Sequence, residues 1–348
     1  MNLNRTWTER VILSLKRGYS VYLFFITMTT CISLTPLSGA FCVPDKYSDS
    51  LTRELMTARE DTSKIAILLE ITTYLKDGKP DSALLYLQKA EKEIEHSFNR
   101  IQQQKGWLNR LIKGRWNREK ERNLTRFHAK MLRVKGNICL QKNKYSEASD
   151  LLNQSLLESS EINDIRECNL SLLDIGLLYY NQGNYSKAIE NYQFVLNISR
   201  KSGYKDCIYS AYGSIGYIEL KRKNYDSSVV YYTRALGIAN ELDDKSLQAT
   251  TLNSIGNVYF NNGNYSKAVD CYRQAIAISR EGNDAHAETI SLSNIGNIYS
   301  RQGRFAEAIE VYLRALNLLE KGNDMQALSD CYSKLGEVYT EKETIIRR

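Results

Sequence analysis

The chain has 348 residues, 43% apolar and 25% charged, a balance that excludes a disordered polypeptide and a polytopic membrane protein. Its formal net charge is +7, but residues 1–20 hold +3 and residues 98–122 hold +6, so the rest sits at −2. The basic excess is therefore local, and no nucleic-acid partner is expected from it.

The first predicted element is a targeting segment. Residues 1–18 are polar and basic, Tyr19–Thr35 are apolar and uncharged, and Pro36-Leu37-Ser38-Gly39-Ala40 comes next. Ser38 and Ala40 are small residues in the places a signal peptidase requires for cleavage after Ala40. Residues 1–40 are read as a signal peptide, with an inner-membrane anchor at residues 19–35 as the alternative. Either reading puts the remainder of the chain outside the cytoplasm, as an exported, periplasmic or envelope-associated protein. Cys42 is preceded by the bulky Phe41, which argues against lipidation.

Residues 41–63 are expected to be a helix or linker, and residues 64–97 a helix pair. Residues 98–122 carry Trp107 and Trp116 among eight Lys and Arg residues, with apolar residues on roughly one helical face. This basic amphipathic insertion is read as an extended hairpin against the neighbouring helices, or as a helix that touches an anionic membrane surface or an acidic partner.

From residue 129 the chain repeats. Gly136, Gly176, Gly216, Gly256, Gly296 and Gly336 stand 40 residues apart. Twelve residues after the glycine come Ala148, Ala188, Ala268 and Ala308, with Ser228 as the exception, and sixteen after it come Leu152, Tyr192, Tyr232, Tyr272 and Tyr312. A fixed period with small and aromatic residues in strict order marks a repeat architecture. The glycines and alanines are assigned to helix crossings, where small side chains let backbones approach, and the tyrosines to the holes between helices. Between the two helices of a unit, Gly183, Gly263 and Gly303 suit the left-handed residue that ends a helix. Asn143 and Lys223 take that place elsewhere, and Lys223 is expected to be strained. Asp164, Asp244, Asp284 and Asp324 are expected to cap the first helices.

This residue order resembles the tetratricopeptide-repeat (TPR) family, in its longer 40-residue variety, and bacterial exported TPR sensor or adaptor regions. The resemblance covers residues 129–348, with five units over 129–328 and a last helix over 329–348 that is a cap or the start of a further unit. A divergent unit over 64–97 keeps Tyr74, Ala83, Leu87 and Ala90, with Ile71 in the glycine's place. The resemblance implies an all-α, right-handed superhelical solenoid of antiparallel helix pairs, whose first helices line a concave groove for a protein or peptide. The candidate groove residues are Asn137, Leu177, Tyr217, Asn253, Asn257, Asn294 and Asn297. An Asn amide offers donor and acceptor together and can pair with a peptide backbone whatever its side chains. Self-association through the open end of the array is the second expectation.

No cofactor, metal site or catalytic set is expected. His96, His128 and His286 are far apart and lack companions at ligand spacing, and no nucleophile elbow or phosphate-binding loop occurs. Cys139 reads as a buried small hydrophobe, and Cys168 and Cys207 are the one pair considered for a disulfide.

Overall fold

The computed structural model describes residues 46–58, 61–78, 80–103, 114–320 and 325–346. The expected signal segment, residues 104–113 of the basic insertion and Asp324 lie outside the described residues. So do Cys42 and Trp107. Every regular element among the described residues is a helix: α1 (Lys46–Thr57), α2 (Asp61–Gly78), α3 (Pro80–Gln103), α4 (Gly114–Gln141), α5 (Tyr145–Glu161), α6 (Ile165–Asn181), α7 (Tyr185–Ser202), α8 (Lys205–Lys221), α9 (Tyr225–Glu241), α10 (Lys245–Asn261), α11 (Tyr265–Glu281), α12 (Ala285–Arg301), α13 (Phe305–Glu320) and α14 (Met325–Ile346). None is long and apolar enough to cross a membrane. They form two compact units, residues 1–191 and 192–348, with the division inside α7.

The turns arise from local chemistry. At the end of α10 the Gly263 amide donates to the Phe260 carbonyl and the Asn264 amide to the Tyr259 carbonyl, at 3.0 and 2.8 Å. This Schellman pattern needs a left-handed residue, and Gly263 has φ +76°. Gly183 and Gly303 match it, while Asn143 and Lys223 adopt φ +57° and +62° in the same place. The Lys223 conformation is the strained one, since its Cβ crowds the following carbonyl. The turns between units use Asn163, Gly203, Asp243 and Asn283 in the same left-handed state. Asp164, Asp244 and Asp284 then cap the next helix, accepting from the amides of Glu167, Leu247 and Ala287. Asn184 and Asn264 cap the second helices in the same way.

In the first unit, α2 and α3 pair and α4 packs against both. Ile65, Leu69, Ile71, Leu87, Leu124, Met131 and Ile138 form their buried core, with Ala83 and Ala90 where the chains come close. Residues 114–122, placed in the insertion by the repeat spacing, are the opening turns of α4, which runs unbroken to Gln141. No proline occurs in α4 to stop it, and Leu124 is buried. In the second unit, α8 with α9, α10 with α11 and α12 with α13 are helix pairs joined by three-residue turns, and α14 packs on α13.

Candidate functional site

In four first helices the middle glycine, Gly136, Gly216, Gly256 or Gly296, is a notch for the side chain sixteen residues later. A Cβ built on Gly256 would stand 2.5 Å from Tyr272 Cε1. On Gly296 it would stand 2.7 Å from Tyr312 Cζ, on Gly216 3.1 Å from the Tyr232 ring, and on Gly136 2.8 Å from Leu152 Cγ. Tyr232, Tyr272 and Tyr312 are buried by this packing. Ala188, Ala268 and Ala308 are fully buried, as is Ser228, whose hydroxyl donates to the Gly216 carbonyl at 2.7 Å. Gly176 is also buried. Gly336 differs, because no described atom lies within 4 Å of its built Cβ.

The packing tyrosines explain two of the candidate asparagines. Tyr272 Oη donates to Asn257 Oδ1 at 2.6 Å, and Tyr312 Oη to Asn297 Oδ1 at 2.7 Å. Burial pushes both phenols well above the ordinary tyrosine value, so they stay protonated donors. Each amide oxygen is thereby occupied, and each orientation is set: the Nδ2 donors remain for whatever lies over the helix. The free donor-and-acceptor pairing expected from sequence is thereby biased toward donation.

Successive first helices of the second unit lie side by side. Tyr209 Oη meets Thr251 Oγ1 at 3.0 Å between α8 and α10, and Ser291 Oγ donates to Asn253 Oδ1 at 3.0 Å between α12 and α10. Asn253 is therefore a buried packing residue, only 6% exposed, and is not presented to a ligand. Tyr217 is exposed on α8, and Asn257, Asn294 and Asn297 are half-buried.

Asn137 and Leu177 belong to the first unit. Leu177 is exposed. Asn137 is buried and donates to Asp174 Oδ2 at 2.7 Å, so it too is a correction to the groove set. Its partner also takes Arg133 Nη1 at 3.2 Å, while Arg133 Nε binds Glu167 Oε1 at 2.5 Å. Glu167 and Asp174 outweigh the burial that opposes the guanidinium charge. Lys130 nearby is pushed down by burial, against the pull of Glu167 and Glu70. Sequence reading missed this network. Its signal is the separation: Arg133 lies 34 and 41 residues from its partners, close to one repeat.

Among the described residues there is no group of His, Cys, Asp and Glu fit to hold a metal. No disulfide joins Cys168 and Cys207, and Cys139 is buried.

A family model described as tetratricopeptide repeat matches residues 167–241, 206–281 and 247–321. No curated protein matches the chain by sequence. Among solved structures, aspartyl phosphate phosphatase F from Bacillus subtilis superposes with a TM-score of 0.57 at 17% identity, over 84% of this chain and 76% of that one. A signal-transduction ATPase from Pyrococcus horikoshii with a tetratricopeptide repeat sensor gives 0.54 at 17% identity, over 82% of this chain and 44% of that one. BtubC from P. vanneervenii gives 0.53 at 19% identity, over 68% and 92%. At these identities the likeness is one of fold.

Proposed function

Because the chain is a tetratricopeptide-repeat protein, we propose that it is a binding scaffold that holds an extended segment of a partner protein or peptide over α8, α10 and α12. One observation carries this reading: Asn257 and Asn297 occur one repeat apart, each with its oxygen tied to a buried phenol and its Nδ2 donors left over. Packed first helices lie about 8–10 Å apart. That spacing suits carbonyls three residues apart in a polyproline-II-like segment, about 9.3 Å. Tyr217 continues the register of the two asparagines with exposed aromatic surface.

The proposal extends to location and role. The basic, apolar and small-residue order of residues 1–40 supports export to the cell envelope, and a reporter fused after Tyr47 that works only in the cytoplasm would refute it. The Pyrococcus horikoshii protein carries its repeats as a sensor, which supports placing this scaffold in the sensing part of a signalling system.

The test is the double variant Asn257→Asp plus Asn297→Asp. Aspartate keeps an oxygen for each phenol but removes the N–H donors. The expected result is unchanged helicity and melting with binding of partners from an envelope extract weakened at least tenfold, from two hydrogen bonds of about 1 kcal/mol each. Unchanged binding would refute the assignment. The corresponding alanine variants strand the phenols and are expected to lose stability as well.

A second reading, self-association through α14, is favoured by one observation. Leu132, Leu172, Tyr212, Leu252 and Leu292 are all buried four residues before their glycines, whereas Tyr332 in that place is 54% exposed. With Gly336 open beside it, α14 presents a face suited to the same face of a second copy. Sedimentation of Tyr332→Glu as a smaller species than wild type supports this reading, and identical sedimentation of the two rejects it.

A further inference from the structure

The first helices that carry the candidate groove are almost devoid of free charge. In α10 the only charged residue is Lys245, at its first position. In α8 the charges are Lys205, Asp206 and Lys221 at the two ends, together with Glu219. Glu219 is buried and bonded to Arg222 and Asn224. In α12 the end residue Arg301 is joined only by Glu288, buried and bonded to Arg280 of α11. The accessible middle of the surface carries uncharged side chains at two levels, Ser210, Thr250 and Ile290 at one and Tyr217, Asn257 and Asn297 at the other, with the Lys221 ammonium 5.1 Å from the Tyr217 ring at its edge. Charge returns on α14 with Asp330, Lys334, Glu337 and Glu341.

We infer that the segment held over α8, α10 and α12 is electrically neutral, recognised by its backbone carbonyls and by apolar side chains at the two ends of the site. This rests on the binding reading above and adds the class of ligand. The deciding comparison is one of magnitude. Two Nδ2 hydrogen bonds supply about 1 kcal/mol each. Desolvating an ionised side chain against Asn257 and Asn297, which offer no counter-charge, costs several kcal/mol, which those bonds do not offset. A neutral segment avoids that cost. Tyr217 on α8, exposed by 41%, is in register with the asparagines, and Ile290, exposed by 42%, lies seven residues before Asn297 on α12; both offer apolar contact.

The consequence is a contact insensitive to salt. Screening shortens the reach of charge from about 10 Å at 0.1 M salt to about 3 Å at 1 M, and a neutral segment has little to lose by it.

The test pans a random dodecapeptide library, displayed on phage, against the full chain and against the Asn257→Asp plus Asn297→Asp variant. Peptides retained only by the unaltered chain are sequenced, synthesised and titrated at 0.1 and 1 M sodium chloride. The expected peptides lack Asp, Glu, Lys and Arg in their shared core, carry apolar residues at its ends, and bind within about threefold at the two salt concentrations. Selection against Thr250→Glu, which puts one carboxylate in the neutral surface, is expected to enrich Lys and Arg. Peptides that need both asparagines yet share a charged core, with affinity falling tenfold or more in high salt, overturn the neutral-ligand inference and leave the binding reading intact. If no retained peptide depends on the asparagines, both fall together.

Discussion

The glycine notch makes a quantitative prediction with its own control. In Gly256→Ala the new methyl would lie 2.5 Å from Tyr272 Cε1 and 2.8 Å from Cδ1. The ring has little room to retreat, because it is only 1% exposed and its hydroxyl is held by Asn257 at 2.6 Å. Overpacking costs about 1–3 kcal/mol. Loss of the phenol's partner, if the ring moves, adds about 1–3 kcal/mol. Against this, alanine gains about 1 kcal/mol over glycine in a helix interior. With both losses, the net expectation is a loss of about 1–5 kcal/mol. Gly336→Ala introduces the same chemical change where nothing lies within 4 Å, so only the propensity gain of about 1 kcal/mol remains. The difference between the two variants removes the propensity term and isolates the notch. Because repeat arrays unfold in parts, the measurement should be local: amide exchange in α10 and α11 for the first variant, and in α14 for the second. Equal effects at the two glycines would refute the notch argument.

The geometry sets three further outcomes. Lys223→Gly relieves a left-handed residue at φ +62° and is expected to raise the urea midpoint, with a gain of about 0.5–1 kcal/mol. Arg133→Ala leaves Glu167 and Asp174 without their cation; a loss of about 3 kcal/mol is expected, read as faster exchange in α4 and α6. The phenols of Tyr232, Tyr272 and Tyr312 are pushed above their ordinary value by burial. In the unfolded chain they ionise near pH 10 while the folded chain keeps its protons, so this stability is present below about pH 10 and falls as pH rises beyond it. The slope is about 1.4 kcal/mol per pH unit for each such phenol, and urea midpoints in alkaline buffers should fall less steeply in Tyr272→Phe.

The parts of this fold that sequence reveals are those set by a single residue's own requirements. Left-handed turns at Gly183, Gly263 and Lys223 were legible because one backbone state demands them. The notch was legible as a pairing of small and large residues sixteen places apart. The site was less legible, since polar side chains are satisfied by partners rather than by position. Asn253 and Asn257 look alike in sequence and each accepts from a hydroxyl, yet Asn253 is buried between helices while Asn257 is half-buried with its donors within reach. Asn137 shares the register of Asn257, but Asp174 takes its Nδ2, and Leu152 stands where a tyrosine would have met its oxygen. The start of α4 was not legible for a different reason: repeat spacing says where a pattern begins, and nothing about how far a helix runs on without a breaker.

The ring-in-notch joint also sets how the second unit will yield to force. Each notch ties the two helices of a pair through a buried ring and its hydroxyl, and contact within these pairs is more extensive than contact between them. Stretched from its termini, the array should therefore come apart pair by pair, each event releasing one 40-residue repeat, about 130 Å of extended chain. A partner that pulls on this scaffold would feel discrete slack, delivered in lengths of one repeat.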